Sequence, residues 1–186
     1  MTNNLIVLYE NEDFKTIKEN LYHSIDIKIQ HIYELYKKCI NKRNNKENRN
    51  ILYKIHGYIT RYMEEEKYDE DDKNYFNKIW FDSAKYGLNN FIDILLECYQ
   101  EIDPNLRNRN GNTAFIMASQ NNRKSIIERL SNDPRVQKNL KNNRGYNALE
   151  IAFISGHDTI VKTLKQNGAK INIFTNPIIW FKILKI

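Results

Sequence analysis

The chain has 186 residues, of which 41% are hydrophobic and 28% charged, and its formal net charge is +6. This length suits one domain or two small ones and argues against a multidomain enzyme, while the composition argues against disorder and membrane embedding. With six Gly and three Pro, the sequence favours helices with short connections over loop-rich β folds.

The N-terminal segment carries no recognisable export signal. Its longest apolar run, residues 5–9, is far shorter than the roughly 20 residues of a membrane-spanning helix, and no basic stretch precedes it. Cys39 and Cys98 form no C-x-x-C pattern, so we expect neither a disulfide framework nor a zinc site. Both thiols are predicted to pack in a reducing, cytoplasmic setting.

Residues 1–73 are predicted to form an N-terminal α-helical region. Residues 8–21 indicate a short helix, a turn at residues 11–13 and a second helix, while apolar residues at helical spacing predict two amphipathic helices over residues 33–40 and 51–63. The polar segments 41–50 and 68–73 interrupt this pattern and are predicted linkers.

Charge is unevenly distributed along the chain. Residues 1–73 carry 13 Lys and Arg against 14 Asp and Glu, whereas residues 74–186 carry 16 against 9. Within the first part, a basic block at residues 37–54 precedes an acidic block at residues 64–72. These blocks are interpreted as solvated helix faces and a linker, the alternative being a docking surface for charged partners.

The second part of the chain repeats itself with a period equal to the separation of Gly111 and Gly145. Residues 111–118, GNTAFIMA, return as residues 145–152, GYNALEIA. An apolar pair and a Leu stand downstream in three copies: Phe91, Ile92 and Leu95; Ile126, Ile127 and Leu130; Ile160, Val161 and Leu164. Each copy is predicted to be a helix-turn-helix unit, and stacked units would share a continuous core.

Turn and capping residues recur at matching offsets. Gly111 and Gly145 suit turns that require positive φ, and Thr113 and Asn147 can accept hydrogen bonds from free amides at a helix start. Three further positions suit a left-handed residue where the first helix of a unit reverses: Gly87, Asn122 and Gly156.

These residues resemble the ankyrin-repeat family, whose unit reads G-x-T-P-L-H-x-A-A-x-x-G-H, then a second helix ending in L-L, then G-A-D-x-N. The resemblance covers residues 74–174 and is closest in the last full copy, where residues 156–157 read GH and residues 168–172 read GAKIN. It implies an all-α solenoid of three units, with the array and its C-terminal helix over residues 74–186.

The chain departs from the family pattern at several positions. Ala114 and Ala148 replace the usual Pro, and Ile116 and Glu150 replace the His. The first copy lacks the G-x-T-P-L-H segment altogether. It is predicted to be a capping repeat whose inner helix covers residues 74–86.

Two further segments resemble partial units. Residues 176–186 resemble the inner helix of a fourth unit and are predicted to form a hydrophobic lid, the alternatives being weak self-association or a membrane-surface helix. Residues 8–21 are faintly similar to the second half of a unit.

The resemblance implies a non-catalytic protein–protein interaction module without cofactor or metal. In such arrays, the partner meets the tips of the fingers, the turns between units, and the exposed side of the inner helices. The corresponding positions here are Arg109, Asn110, Asn112, Gln120, Asn121, Asn143, Arg144, Tyr146, Ile154 and Ser155. This set mixes Arg, Tyr and amide side chains, which make good contact residues.

A nucleic-acid interface is the alternative function. It would use a basic surface made of Arg107, Arg109, Arg123, Lys124, Arg129, Arg135, Lys138, Lys141 and Arg144. These charges would have to share one face, and affinity would fall steeply with salt. No aromatic stacking motif supports it.

A third hypothesis places an enzyme in residues 1–73. The common nucleophile, phosphate-loop and zinc motifs are absent from the sequence. His23, His31 and His56 lack ligand spacing, and the acidic run of residues 64–72 lacks the pattern of a calcium loop. Asn, Ile, Lys and Tyr are abundant, a residue bias that suggests an AT-rich genome. A short ankyrin array with this AT-rich residue bias instead resembles the proteins by which intracellular bacteria and large DNA viruses engage host proteins.

Overall fold

The computed structural model describes residues 5–10, 13–23, 27–42, 46–64, 69–99 and 102–171. These residues form ten α-helices and no strand, which confirms the predicted all-α fold. The chain divides into two compact units, Met1–Ile79 with Glu97–Gln100 and Trp80–Leu96 with Glu101–Ile186. The predicted helix over residues 176–186 lies outside the described residues.

The first unit contains four helices ahead of the repeats. They are α1 (Leu5–Glu10), α2 (Phe14–His23), α3 (Ile29–Asn41) and α4 (Lys46–Glu64). Helix α4 packs against α2 and α3, and α1 packs against the same two helices. Their apolar stripes meet in a core whose fully buried members include Ile17, Leu35 and Ile55, so the predicted helical periodicity is confirmed.

The cysteines also behave as packing groups. Cys39 on α3 is fully buried, and burial raises the pKa of its thiol to about 12. Cys98 is half-buried, and both are free thiols.

Among the described residues, no helix is both long and apolar enough to cross a membrane.

The predicted linker over residues 41–50 is wrong for most of its length. Helix α3 continues to Asn41, and α4 already begins at Lys46. Asn48 is 2% exposed, and its amide Nδ2 donates a 2.8 Å hydrogen bond to the carbonyl of Lys42. A polar residue that looks solvated in sequence is therefore buried within the first turn of a helix.

The predicted break over residues 68–73 is also wrong, because α5 (Glu70–Tyr86) begins inside it. The first inner helix, predicted over residues 74–86, thus starts at Glu70, about one turn earlier. Asp69 Oδ1 accepts a hydrogen bond from Asp72 N at 3.0 Å, and Asp72 Oδ2 accepts one from Asp69 N at 3.1 Å. This reciprocal cap and the acidic first turn stabilise the helix start.

The second unit consists of helical hairpins. Its further helices are α6 (Asn89–Glu97), α7 (Ala114–Gln120), α8 (Lys124–Ser131), α9 (Ala148–Ser155) and α10 (Asp158–Gln166). The inner helices α7 and α9 pack on each other, as do the outer helices α8 and α10, and α7 packs on α8 as α9 does on α10. This confirms the predicted solenoid of helix-turn-helix units.

The core of the second unit follows the predicted offsets. The small residues Ala84, Ala118 and Ala152 are fully buried where neighbouring helices approach. The downstream apolar triplets are buried as well: Phe91, Ile92, Leu95, Ile126, Ile127, Leu130, Ile160, Val161 and Leu164. The predicted reversal positions are left-handed, with φ of +79° at Gly87, +56° at Asn122 and +74° at Gly156.

The inner helices begin at the predicted caps. Thr113 Oγ1 accepts a hydrogen bond from Ile116 N at 3.3 Å, and Asn147 Oδ1 accepts one from Glu150 N at 2.9 Å. In α9 the bond is reciprocated, because Glu150 Oε2 accepts from Asn147 N at 2.9 Å. Glu150, which replaces the family's His, therefore completes a capping box.

We expect Glu150→Gln to keep the stability of the chain and Glu150→Ala to lower it by about 1 to 2 kcal/mol. Glu150 is fully buried, and its Oε1 has no hydrogen-bond partner among the described residues. Glutamine can still accept a hydrogen bond from Asn147 N, whereas alanine cannot. Urea denaturation of the three chains measures this, and a glutamine variant as unstable as the alanine variant would contradict it.

Candidate functional site

Two fingers lead into the inner helices. We define the first finger as residues 105–113, before α7, and the second finger as residues 139–147, before α9. In the first finger, Asn108 N donates to Asn112 O at 3.0 Å and Gly111 N donates to Asn108 O at 2.7 Å. The same two bonds recur at the equivalent positions of the second finger, at 2.9 Å each. The main chain of each finger is therefore closed on itself.

An asparagine holds each finger from within. Asn108 Oδ1 accepts hydrogen bonds from the main-chain N of Asn110 and Asn112, both at 3.0 Å. Asn142 Oδ1 accepts from the main-chain N of Arg144 and Tyr146, also at 3.0 Å. Sequence reasoning missed both residues, although their recurrence at the same offset before Gly111 and Gly145 was a visible signal.

Hydrogen bonds also join the two fingers side by side. Asn143 N donates to Asn110 O at 3.1 Å, and Asn143 Nδ2 donates to Arg109 O at 3.0 Å. The Arg107 guanidinium donates to Lys141 O at 2.8 Å. Because these bonds end on main-chain carbonyls, they fix the fingers relative to each other without using the side chains of Arg109 and Asn110.

A second pair of asparagines, Asn105 and Asn139, ties the base of each finger to the chain beyond it. Asn105 Oδ1 accepts from Gln137 N at 2.7 Å, and its Nδ2 donates to Arg135 O at 2.8 Å. Asn139 Oδ1 accepts from Lys170 N at 2.9 Å. This pair also occupies equivalent positions of the two copies.

A family model described as ankyrin repeats, in three copies, matches residues 80–175. The match covers more than half of the chain and the hairpins described above. The chain belongs to the ankyrin-repeat family. A comparison with curated proteins found no match. Ankyrin repeats are generally protein–protein interaction modules, and the family is typically non-catalytic.

The structure gathers six of the predicted site residues of this ankyrin array on the two fingers. Four of them are exposed and two are half-buried: Arg109, Asn110, Asn143 and Arg144, then Asn112 and Tyr146. The Arg144 guanidinium lies over the Tyr146 ring, 5.8 Å from its centroid, in cation–π contact. Asn112 and Asn143 take part in bonds between the fingers, so their amides serve the scaffold.

The other four predicted site residues lie away from the fingers. Gln120 and Asn121 end α7, and Ile154 and Ser155 end α9. The inner helix between each pair and its finger has a length of about 10 to 12 Å. The Asn121 amide donates to Met117 O at 2.8 Å. The site residues therefore form two separate groups rather than one cluster.

Six of the nine basic residues proposed for nucleic-acid binding are engaged within the second unit. Two form ion pairs on or between outer helices, Lys124 with Glu128 at 3.2 Å and Arg129 with Asp93 at 2.6 Å. The others are Arg107, Arg123, Arg135 and Lys138, which contact Lys141 O, Lys85 O, Asp133 and Asn167 O. Most of these charges thus hold the array together.

The Asp133–Arg135 pair shows how locally these contacts act. Asp133 is 8% exposed, and its Oδ2 accepts a 2.8 Å hydrogen bond from the Arg135 guanidinium. This bond holds the pKa of the Asp133 carboxyl below its ordinary value. Arg135 is therefore committed to the turn after α8.

The first unit contains a cavity of about 410 Å³. Its described lining is Tyr9, Glu10, Phe14, Lys38, Asn41, Lys42 and Asn48. No histidine or cysteine belongs to that lining, and the described residues contain no group of three potential metal ligands.

Proposed function

We propose that the chain is a non-catalytic protein-binding module whose partner contacts the two fingers first and the ends of the inner helices second. The partner-binding residues of this proposal are Arg109, Asn110, Asn112, Gln120, Asn121, Asn143, Arg144, Tyr146, Ile154 and Ser155. The observation that carries it is the finger ladder, the set of hydrogen bonds that join the two fingers. In it, bonds from Asn143 N to Asn110 O and from the Arg107 guanidinium to Lys141 O hold the main chain that carries the exposed side chains.

Preorganisation supports the fingers as the main contact. A partner that docks on a surface whose main chain is already fixed loses less conformational entropy than one that must order a loop. Arg109, Arg144 and Tyr146 also belong to the residue types that dominate binding energy in protein interfaces. We therefore assign the largest contributions to these three side chains.

Affinity capture with mass spectrometry tests the proposal. The full native chain is compared with a finger variant carrying Arg109→Glu, Arg144→Glu and Tyr146→Ala. We expect at least one protein to be captured by the native chain and to be lost from the finger variant. Circular dichroism first establishes that the finger variant is folded.

A control variant on the outer face isolates the effect of position. Lys162→Glu with Lys165→Glu changes two exposed residues of α10 and makes the same change in net charge as the two Arg substitutions. Capture by this control should equal that of the native chain. A partner that survives the finger variant would place the interaction in residues 1–73 or in the C-terminal segment and overturn the site.

An intracellular setting with host proteins as partners is the finer part of the proposal. The two free cysteines and the AT-rich residue bias support it. Capture from a host-cell lysate and from a lysate of the source organism separates the two settings. Partners found in the source lysate alone would contradict a host-directed role.

A further inference from the structure

The two fingers and the inner helices α7 and α9 that follow them carry an excess of positive charge. In residues 102–120 and 137–155 the basic residues are Arg107, Arg109, Lys138, Lys141 and Arg144, and the acidic ones are Asp103 and Glu150. Glu150 is fully buried and caps α9, which leaves Asp103 as the exposed carboxylate of these segments. This face of the array is therefore cationic.

The outer helices differ in their charge balance. Helices α8 and α10 carry Lys124, Arg129, Lys162 and Lys165 together with Glu128 and Asp158. Lys124 pairs with Glu128 on α8, and Arg129 pairs with Asp93 of α6. Charge is thus largely compensated on the outer face and uncompensated on the fingers.

The uncompensated charge is concentrated in three exposed side chains, Arg109, Lys141 and Arg144. They lie on adjacent fingers that are held together by a main-chain bond from Asn143 N to Asn110 O and a side-chain bond from the Arg107 guanidinium to Lys141 O. Because the two fingers are hydrogen-bonded side by side, their cations can meet carboxylates of one partner segment. The Tyr146 ring lies beside the Arg144 guanidinium on the same finger.

We propose that the finger surface formed by Arg109, Lys141, Arg144 and Tyr146 recognises an acidic segment of a partner protein. Guanidinium groups bind carboxylates through two parallel hydrogen bonds, which gives geometric selectivity as well as charge complementarity. The excess charge also steers an acidic partner toward this face during encounter. This inference rests on the proposed function and names the chemistry of its partner.

A polypeptide fits this surface better than a nucleic acid. A protein that makes about 6 to 10 contacts to DNA phosphates draws a large share of its affinity from these charges. Here Arg107 and Lys138 already donate to main-chain carbonyls, so only three finger cations carry the uncompensated positive charge. Three cations are fewer than such phosphate contacts require. The Tyr146 ring is half-buried and faces the Arg144 guanidinium.

Selection from a random peptide library displayed on bacteriophage tests the chemistry while the partner itself is still unidentified. The immobilised native chain selects, and a folded Arg109→Glu, Arg144→Glu variant removes peptides that bind elsewhere. We expect the enriched peptides to carry about three or more carboxylates each, one for each finger cation. Enrichment of neutral or basic peptides, or of none, would overturn the inference.

Affinity measurements on the most enriched peptide then locate its site. Fluorescence anisotropy should show binding about 10-fold weaker for the Arg109→Glu, Arg144→Glu variant, and within about 2-fold of native for Lys162→Glu, Lys165→Glu. Affinity should also fall between about 50 and 300 mM salt. Equal weakening by both variants would show unspecific attraction to net charge and overturn the inference.

A single-stranded oligonucleotide of the same length serves as competitor. Stronger binding of the oligonucleotide than of the peptide would replace the acidic segment with a nucleic acid and overturn the inference. The outcome for the proposed function remains separate, because it depends on capture of a protein through the fingers. A captured partner that lacks an acidic segment and is lost from the finger variant would sustain that function while refuting this partner chemistry.

Discussion

Replacing Ile127 by alanine is expected to lower the free energy of unfolding of the second unit by about 2 to 5 kcal/mol. Ile127 is fully buried in α8, the outer helix that packs against both α7 and α10. Removing its side chain leaves a cavity at the centre of the array. A small domain has a total stability of about 5 to 15 kcal/mol, so the loss is a large fraction of the whole.

Fluorescence of Trp80, which is fully buried in the second unit, can follow unfolding in urea. A Trp180→Phe background leaves Trp80 as the sole indole. The midpoint should fall with little change in the denaturant slope, because repeats that stabilise each other unfold together. A lower slope would instead indicate that part of the array is already unfolded in the variant.

Two further substitutions calibrate the effect. Ile127→Val should cost about 0.5 to 1.5 kcal/mol, because it removes one methyl group from the same site. Ser125→Ala, at an exposed position of α8, should change stability by less than about 0.5 kcal/mol. A loss below about 1 kcal/mol for Ile127→Ala would contradict the packing described for α8.

Local signals explain the part of the fold that the sequence could predict. The caps at Thr113 and Asn147 act on an amide three residues away, and the reversal at Asn122 depends on its own φ. Such features are readable from short patterns that return in each copy of the repeat. The apolar triplets add a helical period, so the stacked hairpins follow from pattern alone.

The candidate site was harder to predict because its order comes from distant partners. Arg129 is read from sequence as a surface charge, yet Asp93, 36 residues earlier, pairs with it. Asn143 is predicted from the sequence as a partner contact at a finger tip, and Asn142 was missed, yet the amides of both join the neighbouring finger. Residue type indicated that the fingers are polar, but it could not separate side chains that build the surface from those that it presents.

A hydrogen bond also explains why the linker predicted in the first unit is wrong. Residues 41–50 are polar, and a polar run between apolar stripes predicts a linker. Asn48 is nevertheless buried, since its amide donates to the carbonyl of Lys42 at the preceding turn. The bond replaces the water that a solvated linker would have supplied, so α4 can begin within the polar run.

Gly111→Ala is expected to destabilise the second unit more than Gly145→Ala, although the two glycines occupy equivalent positions. Both are left-handed, with φ of +72° and +79°, so each substitution costs about 1 to 2 kcal/mol from backbone strain alone. At Gly111 an added Cβ would lie 2.2 Å from Asn143 Oδ1 and 2.7 Å from Asn143 N. At Gly145 it would meet no atom of the described residues within 4 Å.

The difference between the two variants therefore measures the contact between fingers. The clash at Asn143 N involves main chain, which a rotamer change cannot relieve, and overpacking of this kind adds about 1 to 3 kcal/mol. The bonds from Asn143 to Arg109 O and Asn110 O would lengthen or break as the fingers separate. Stability is measured by urea denaturation with Trp80 fluorescence.

Binding of the enriched acidic peptide provides a second readout of the same pair of variants. Gly111→Ala should lower the affinity for the peptide, because it moves Arg109 away from Arg144. Gly145→Ala should leave the spacing between the two fingers, and therefore the affinity, unchanged. The Ala variants are compared under conditions in which both are fully folded, so that loss of binding reports geometry rather than unfolding. Equal losses of stability in Gly111→Ala and Gly145→Ala would show that the second finger moves aside without cost. The hydrogen bonds between the fingers would then not fix the finger surface.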